Sequence, residues 1–258
     1  MHDSGHGVGD RQRRVRPNHA SHFEQAKLAL EALAQQRAAA GMIRLPAEDR
    51  LAEETGFSRP TIRSALLALQ KEGKVLRQHG VGTFINRHAL GIRANLAEDQ
   101  PFLSVIEQLG YEPYLDIVRI ADEELPTHIT ERAAVGPGSS GIVIDRLFRA
   151  SDEPAVLSRD HIPTVHLAVE VDEVSAERST FAFVRRWTPH EVRYSVASIY
   201  ATEAAGHVAE HLDIPAGTAV LAMEHVHIDE RDEVIGITEA FVRNDLIRFS
   251  IVRTSTDL

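Results

Sequence analysis

Cysteine is absent from the 258 residues, which excludes disulfides and thiolate metal sites. Tryptophan occurs once, and aromatic residues make up only 5% of the chain. No run of about 18 apolar residues is present, so no membrane-spanning helix is expected. The opening MHDSGHGVGDRQRRVRPNHA carries basic side chains with no apolar stretch behind them, which does not read as a secretory signal. The expected location is the cytoplasm. Catalytic motifs are lacking as well. GVGDRQ and GVGTF contain glycines, but neither is a phosphate-binding loop or a dinucleotide fingerprint, and there is no Gly-x-Ser-x-Gly element. Asp and Glu are frequent, yet composition alone explains their pairs. His225 and His227 stand at i, i+2, a spacing that can chelate a metal. The sequence sets no carboxylate or third histidine beside them, so surface histidines are expected. No catalytic residue, cofactor or metal site is expected.

What is present begins with an uneven charge. Residues 1–90 hold 14 Lys and Arg against 9 Asp and Glu, net +5, while the rest hold 14 against 29, net −15. A basic front on an acidic body implies that only the front meets a polyanion.

Residues 1–18 read as a disordered basic arm with Arg11 to Arg16 at its centre. From His19 to Ala40 the apolar residues Phe23, Ala26, Leu30 and Leu33 recur at helical spacing, and Gly41 stops the run. LPAEDRLAEETG predicts a shorter helix, with Pro46 in its first turn and Gly56 at its end. GFSRPTIRSALLALQKEG predicts a third, with Ser58 as N-cap, Pro60 in the first turn and Gly73 closing it. At about 100° per residue, Ile62, Ala65, Leu66 and Leu69 fall on one side, and Arg63, Ser64 and Lys71 point away from it. Arg59 lies in the first turn. KVLRQHGVGTFINR then reads as two short strands around a glycine turn. Helix, short helix, glycine turn, arginine-bearing helix and glycine-rich hairpin make a winged helix-turn-helix over residues 19–87. In such a module the N-terminal half of the third helix enters the major groove of double-stranded DNA. Arginine reads guanine there with two parallel hydrogen bonds, and Ser58 and Thr61 suit phosphates or bases.

Residues 45–85 resemble the DNA-binding domain of GntR-family bacterial regulators. Leu45-Pro46-x-Glu48, Leu51-Ala52, Ser58-Arg59-x-Thr61-x-Arg63, Ala65-Leu66, Leu69, Gly73 and Gly80-x-Gly82-Thr83 carry the resemblance. It implies that Arg59, Thr61 and Arg63 contact the major groove. It also implies that Gln78, His79, Gly80, Gly82 and Thr83 set the wing against the DNA. The family often has arginine after Leu-Pro-x-Glu. This chain has Asp49 there, and Arg50 is expected to take over that contact.

Residues 88–100 read as a linker, and residues 101–258 as an α+β domain with a largely antiparallel sheet. PFLSVIEQLGYEP is a short helix. The strands include YLDIVRIA, GIVIDRLFRA, PAVLSRDHIP, VRYSVASIYA, TAVLAMEHVHID and EVIGITEAFVR, with RFSIVR last and helical pieces near 127–135, 178–187 and 202–212. Alternation places Arg146 on an apolar face with Ile142, Ile144 and Phe148. A buried cation needs a partner, and Glu224 and Glu239, on the inward faces of the late strands, are the candidates. A pocket for a small polar molecule is the other reading of the same charges. The layout is similar to the UTRA effector domain of the HutC branch of GntR regulators, which has a chorismate-lyase-like fold. DRLFRASDEPAVLSRDHIP, AEHLDIPAGTAVL and FVRNDLIRF carry it. By that likeness Arg146 sits at the usual pocket arginine, Phe148 replaces a second arginine, and Ser158 replaces a common Glu. Ser179 and Thr180, at a helix start, would bind an anionic group. Glu224, Glu239 and Arg243 complete the expected effector set.

The reading is a homodimeric, effector-responsive DNA-binding regulator, a repressor released by a small molecule, with no enzymatic activity and no membrane. The rivals are a lyase-like enzyme and a non-specific DNA-binding protein on the same scaffold.

Overall fold

The computed structural model describes residues 21–78, 80–96 and 100–253. The basic arm 1–18 and His79 lie outside the described residues. The described residues form two units, one from residue 21 to 100 together with 248–253, the other over 101–247.

In the first unit, α1 (His22–Ala39) starts at Ser21, whose side chain and Glu24 form a reciprocal capping box. Then come α2 (Glu48–Thr55) and α3 (Arg59–Lys71). Pro46 stands before α2 rather than in its first turn, and Ala47 is the N-cap. Ser58 accepts from the Thr61 N–H, as a serine N-cap should. Ile62, Ala65, Leu66 and Leu69 are fully buried against Ala26, Leu30 and Leu51. The isoleucine and two leucines contribute about 1.5–3 kcal/mol each, which anchors one side of α3 and leaves the other side outward. The hairpin β1 (Val75–Gln78) and β2 (Gly82–Ile85) is antiparallel. A short α4 (Arg87–Leu90) buries Ala89 and Leu90 at the start of the expected linker.

The second unit is a six-stranded antiparallel sheet in the order β3-β4-β5-β8-β7-β6. Its elements are α5 (Phe102–Gln108), β3 (Pro113–Glu124), α6 (Thr127–Arg132), β4 (Ser140–Ala150), β5 (Glu153–Pro163), α7 (Thr180–Trp187), β6 (Tyr194–Glu203), α8 (Gly206–Leu212), β7 (Ala219–Ile228) and β8 (Val234–Val242). One core packs Leu147, Leu157 and Val220 against Val208 and Leu212 of α8, and a second packs Val143, Val226 and Ile237 against Ile129 of α6. The opposite face buries Ile142, Ile144 and Ile162 under Phe183 of α7 and the segment before it.

The end of the chain departs from expectation. RFSIVR adds no strand to this sheet. Ser250 instead bridges Asn95, and Val252 sits where a side chain on Gly73 would stand, at 2.5 Å. Residues 248–253 therefore pack with the first unit, not with the domain expected to run to 258.

Candidate nucleic-acid interface and effector site

Arg59 and Arg63 are about two-thirds exposed on the outer side of α3. Both are tethered by carboxylates of α2: Arg59 Nη2 lies 2.7 Å from Asp49, and Arg63 lies 3.0 Å from Glu48. Glu48 also holds Arg77 of the wing at 2.7 Å. Arg50 is 75% exposed and pairs with Glu54 at 3.2 Å. Exposed pairs of this kind contribute less than about 1 kcal/mol, so they orient the guanidiniums and yield readily to a stronger anion. Ser58 spends its oxygen on capping α3 and bonding Thr61. Gln78 and Gly80 are exposed, and Gly82 and Thr83 are half-buried in the wing.

Arg44 belongs to the same surface and was not singled out from the sequence. Its guanidinium donates to the Val81 carbonyl and lies over the Phe84 ring at 5.9 Å. Gly82 permits this, since at φ +141° a Cβ would meet Arg44 at 2.6 Å. Arg37, Arg44 and Arg50 line a concavity of about 510 Å³ beside Leu45 and Pro46.

In the second unit the strand register decides which polar groups meet. Arg146 pairs with Ser158, Asp160 with Thr238, Thr238 with His225, and His227 with Ser195, so all seven share one face. Arg146 is the largest fully buried side chain among the described residues. Its Nη1 donates to Asp160, and its Nε donates to the Glu177 carbonyl at 2.7 Å. Its Nη2 is buried and has no acceptor among the described residues. Asp160 also accepts from Thr180 and Thr238, each at 2.8 Å. Burial pushes the Asp160 pKa up. The Arg146 charge and hydrogen bonds from Arg146, Thr238 and Thr180 outweigh it and hold the pKa below the usual carboxylate value. Thr238 passes the chain of bonds to His227 at 2.9 Å, and His227 to Ser195 at 2.8 Å. Phe181 packs edge-on to His227, and with Arg185, Glu191 and Val192 it lines a concavity of about 240 Å³.

Several expectations are corrected. Arg146 pairs with neither Glu224 nor Glu239. Both lie on the opposite face, because Glu239 is in register with Arg159 while its neighbour Thr238 is in register with Asp160. There Glu224 meets Arg132 at 2.9 Å, and Glu239 meets His161 at 3.0 Å. The His161 hydrogen bond holds the Glu239 carboxyl below its usual range against the effect of burial. Arg243 lies just past β8, bonded to Asp245, Glu153 and the Pro154 carbonyl, away from the Arg146 cluster. Ser179 caps α7 through Ala182, and the anion that meets Thr180 is the protein's own Asp160. Phe148 is buried, its ring 5.3 Å from Phe102. His227 is no surface histidine: at 3% exposure it is part of the buried network. Asp160, Thr238, Ser195 and His227 were missed as site residues, because their partners are 11 to 78 positions away.

Residues 108–248 match the UTRA domain, and residues 24–85 match the bacterial regulatory proteins of the gntR family. The chain belongs to the GntR family and carries a UTRA domain. It is a ligand-responsive, DNA-binding transcriptional regulator. It is 28% identical to the HTH-type transcriptional regulator GgaR of Escherichia coli over 205 residues, 80% of each chain. It is also 28% identical to the HTH-type transcriptional repressor NagR of Bacillus subtilis over 212 residues, 80% of this chain and 83% of that one. A histidine utilization repressor of Pseudomonas putida shares 34% over 84 residues, 31% of this chain and 32% of that one. The fold is similar to the possible transcriptional regulator YydK of Bacillus subtilis, with a TM-score of 0.67 and 13% identity over 89% of this chain and 99% of that one. It also resembles PhnF of Mycobacterium smegmatis, with a TM-score of 0.55 and 22% identity over 90% and 100%. No described helix of the regulator is long and apolar enough to cross a membrane.

Proposed function

We propose that this regulator is a homodimeric repressor released from its operator by a small molecule, without catalytic activity. The carrying observation is the pair Arg59 and Arg63, exposed at the start of α3 and pre-oriented by carboxylates of α2. In this reading Arg59, Thr61 and Arg63 read base edges. Arg50, Ser58, Gln78, His79, Gly80, Gly82 and Thr83 hold the phosphates and the wing, with Arg44 added to them. Repression is supported by the names of two relatives. Dimerisation is supported by β6, an edge strand that exposes Tyr194, Val196, Ile199 and Tyr200, because such an edge associates unless covered. Two recognition helices then read two half-sites.

The effector site is the Arg146 face. Its single buried cation is largely neutralised by Asp160, and Phe148 adds no charge. The site therefore suits a small polar molecule that accepts one hydrogen bond from Arg146 Nη2, not a doubly charged phosphosugar. Effector binding shifts the population toward a form whose two winged modules fit the operator poorly. Fluorescence anisotropy on operator DNA at fixed salt tests the reading. Arg59→Ala and Arg63→Ala each lower affinity at least tenfold and leave the thermal shift by effector intact. Arg146→Met combined with Asp160→Leu, which removes the buried pair together, does the reverse. Operator affinity equal to wild type in both arginine variants would sink the assignment.

A further inference from the structure

We propose that the second unit holds a divalent transition-metal site, for Zn²⁺ or an ion of similar chemistry, built from His166, His190, Asp229 and Glu233. Sequence order scatters these residues, and the fold gathers them. Residues 164–193 connect β5 to β6, and the part up to α7 covers the Arg146 face. His166 ends the 3-10 turn Thr164–His166 at the start of that cover, and His190 follows α7 at its end. Both meet the turn between β7 and β8, which supplies Asp229 and Glu233.

The donor atoms converge. One ligand atom from each of His190, Asp229 and Glu233 lies within 4.8 Å of the others. His190 Nδ1 is 2.9 Å from Asp229 Oδ2. The other oxygen of Asp229 accepts main-chain N–H groups from Arg231 at 2.8 Å and Glu233 at 3.0 Å. That anchoring keeps Oδ2 aimed at His190, the kind of outer support that fixes a ligating carboxylate. A turn latch between His190 and Asp229 alone would need nothing more. The fourth residue points further. The His166 ring is half-buried and stands edge-on to His190 at 5.1 Å, and its Nε2 atom is buried with no hydrogen-bond partner among the described residues. A buried nitrogen without a partner is costly, and an imidazole lone pair is a metal ligand. His166 stands outside the three residues whose donor atoms lie within 4.8 Å of one another, so it would join as a fourth ligand by turning its ring; imidazole and carboxylate donors suit zinc, and the nitrogens disfavour Mg²⁺ and Ca²⁺. Glu233 is exposed, so its side chain is free to close the distance.

Bound metal would tie both ends of the cover to the β7–β8 turn. The consequence for effector response rests on the Arg146 face being the effector site; the metal binding itself does not.

The test uses the full chain, stripped with chelator and desalted, then titrated with Zn²⁺ or Mg²⁺ by calorimetry and thermal shift. Co²⁺ absorption reports the nitrogen and oxygen ligands directly. Zn²⁺ should bind at one high-affinity site per chain and raise the melting temperature, and Mg²⁺ should not. Glu233→Gln, at an exposed position that does not threaten folding, and His190→Ala should each weaken that site at least tenfold. His166→Gln should do so as well. A double change at His207 and His211, a histidine pair on α8, should leave it intact. Absence of Zn²⁺ binding in the wild type, or wild-type affinity in Glu233→Gln, His190→Ala or His166→Gln, overturns the proposal. Operator binding, measured alongside, separates this outcome from a failure of the regulator reading.

Discussion

Acidification should destabilise the effector unit, and the share carried by His227 can be isolated. The ring is 3% exposed and bonded on both nitrogens to neutral hydroxyls, Thr238 and Ser195. Burial is the largest influence on it and favours the neutral form. Asp160 opposes burial, His225 adds to it, and the pKa falls from 6.5 to about 4. The sign follows from proton counting. Below pH 6.5 the unfolded chain takes up a proton that the native ring refuses, so stability is fully present above 6.5 and is lost as the pH falls toward 4. At 1.36 kcal/mol per pH unit the whole interval amounts to about 3 kcal/mol, of which about 2 kcal/mol is gone by pH 5. Urea unfolding of wild type and His227→Gln at pH 7.5, 6 and 5 isolates this residue from the other histidines, because their titration cancels in the difference. Glutamine retains a donor and an acceptor for Ser195 and Thr238 but has no proton to gain. The wild type's advantage should shrink by about 2 kcal/mol between pH 7.5 and 5. A stability gap that stays constant across that range refutes the claim that the fold holds the ring neutral.

Three further outcomes are expected. Asp160→Ala leaves the Arg146 charge buried without its partner. It should cost about 3–5 kcal/mol, roughly 6–20 °C in the melting temperature of the effector unit, and Arg146→Met combined with Asp160→Leu should recover most of that. A loss below about 2 °C in calorimetry would contradict the buried pair. Asp49→Asn frees Arg59 from its tether and removes a negative charge from the DNA-facing surface. Anisotropy should show tighter binding to scrambled DNA and a severalfold lower operator-to-scrambled ratio, and an unchanged ratio counts against Asp49 as a positioning residue. Gly82→Ala sets a Cβ against Arg44 at a backbone angle that L-residues rarely adopt. Operator affinity should fall at least fivefold while the effector unit melts as in wild type, and full affinity would remove the Arg44–wing contact from the interface.

The helices of the first unit were legible because their signals are local. Ser58, Pro60 and Gly73 mark the ends of α3, and the spacing of Ile62, Ala65, Leu66 and Leu69 fixes which side it buries. The outward placement of Arg59 and Arg63 follows from the same period, and the structure has both exposed. The carboxylates that hold them were not legible, since Asp49 and Glu48 approach only when α2 packs against α3.

In the second unit, alternation along each strand correctly grouped Arg146 with Ile142 and Ile144, and Glu239 with Ile237. It does not say which groups face each other across strands, because shifting the register by one residue exchanges the two faces. That is why the partner of Arg146 was sought at Glu224 and Glu239 and found at Asp160. Residue order and type by themselves determined a winged helix-turn-helix followed by an antiparallel α+β domain, because caps, turns and periodicity act over a few positions. Only the tertiary structure decided where each buried charge finds its counterion, how His227 is kept neutral, and that residues 248–253 return to the first unit. Those outcomes depend on strand register and packing between elements far apart in the chain.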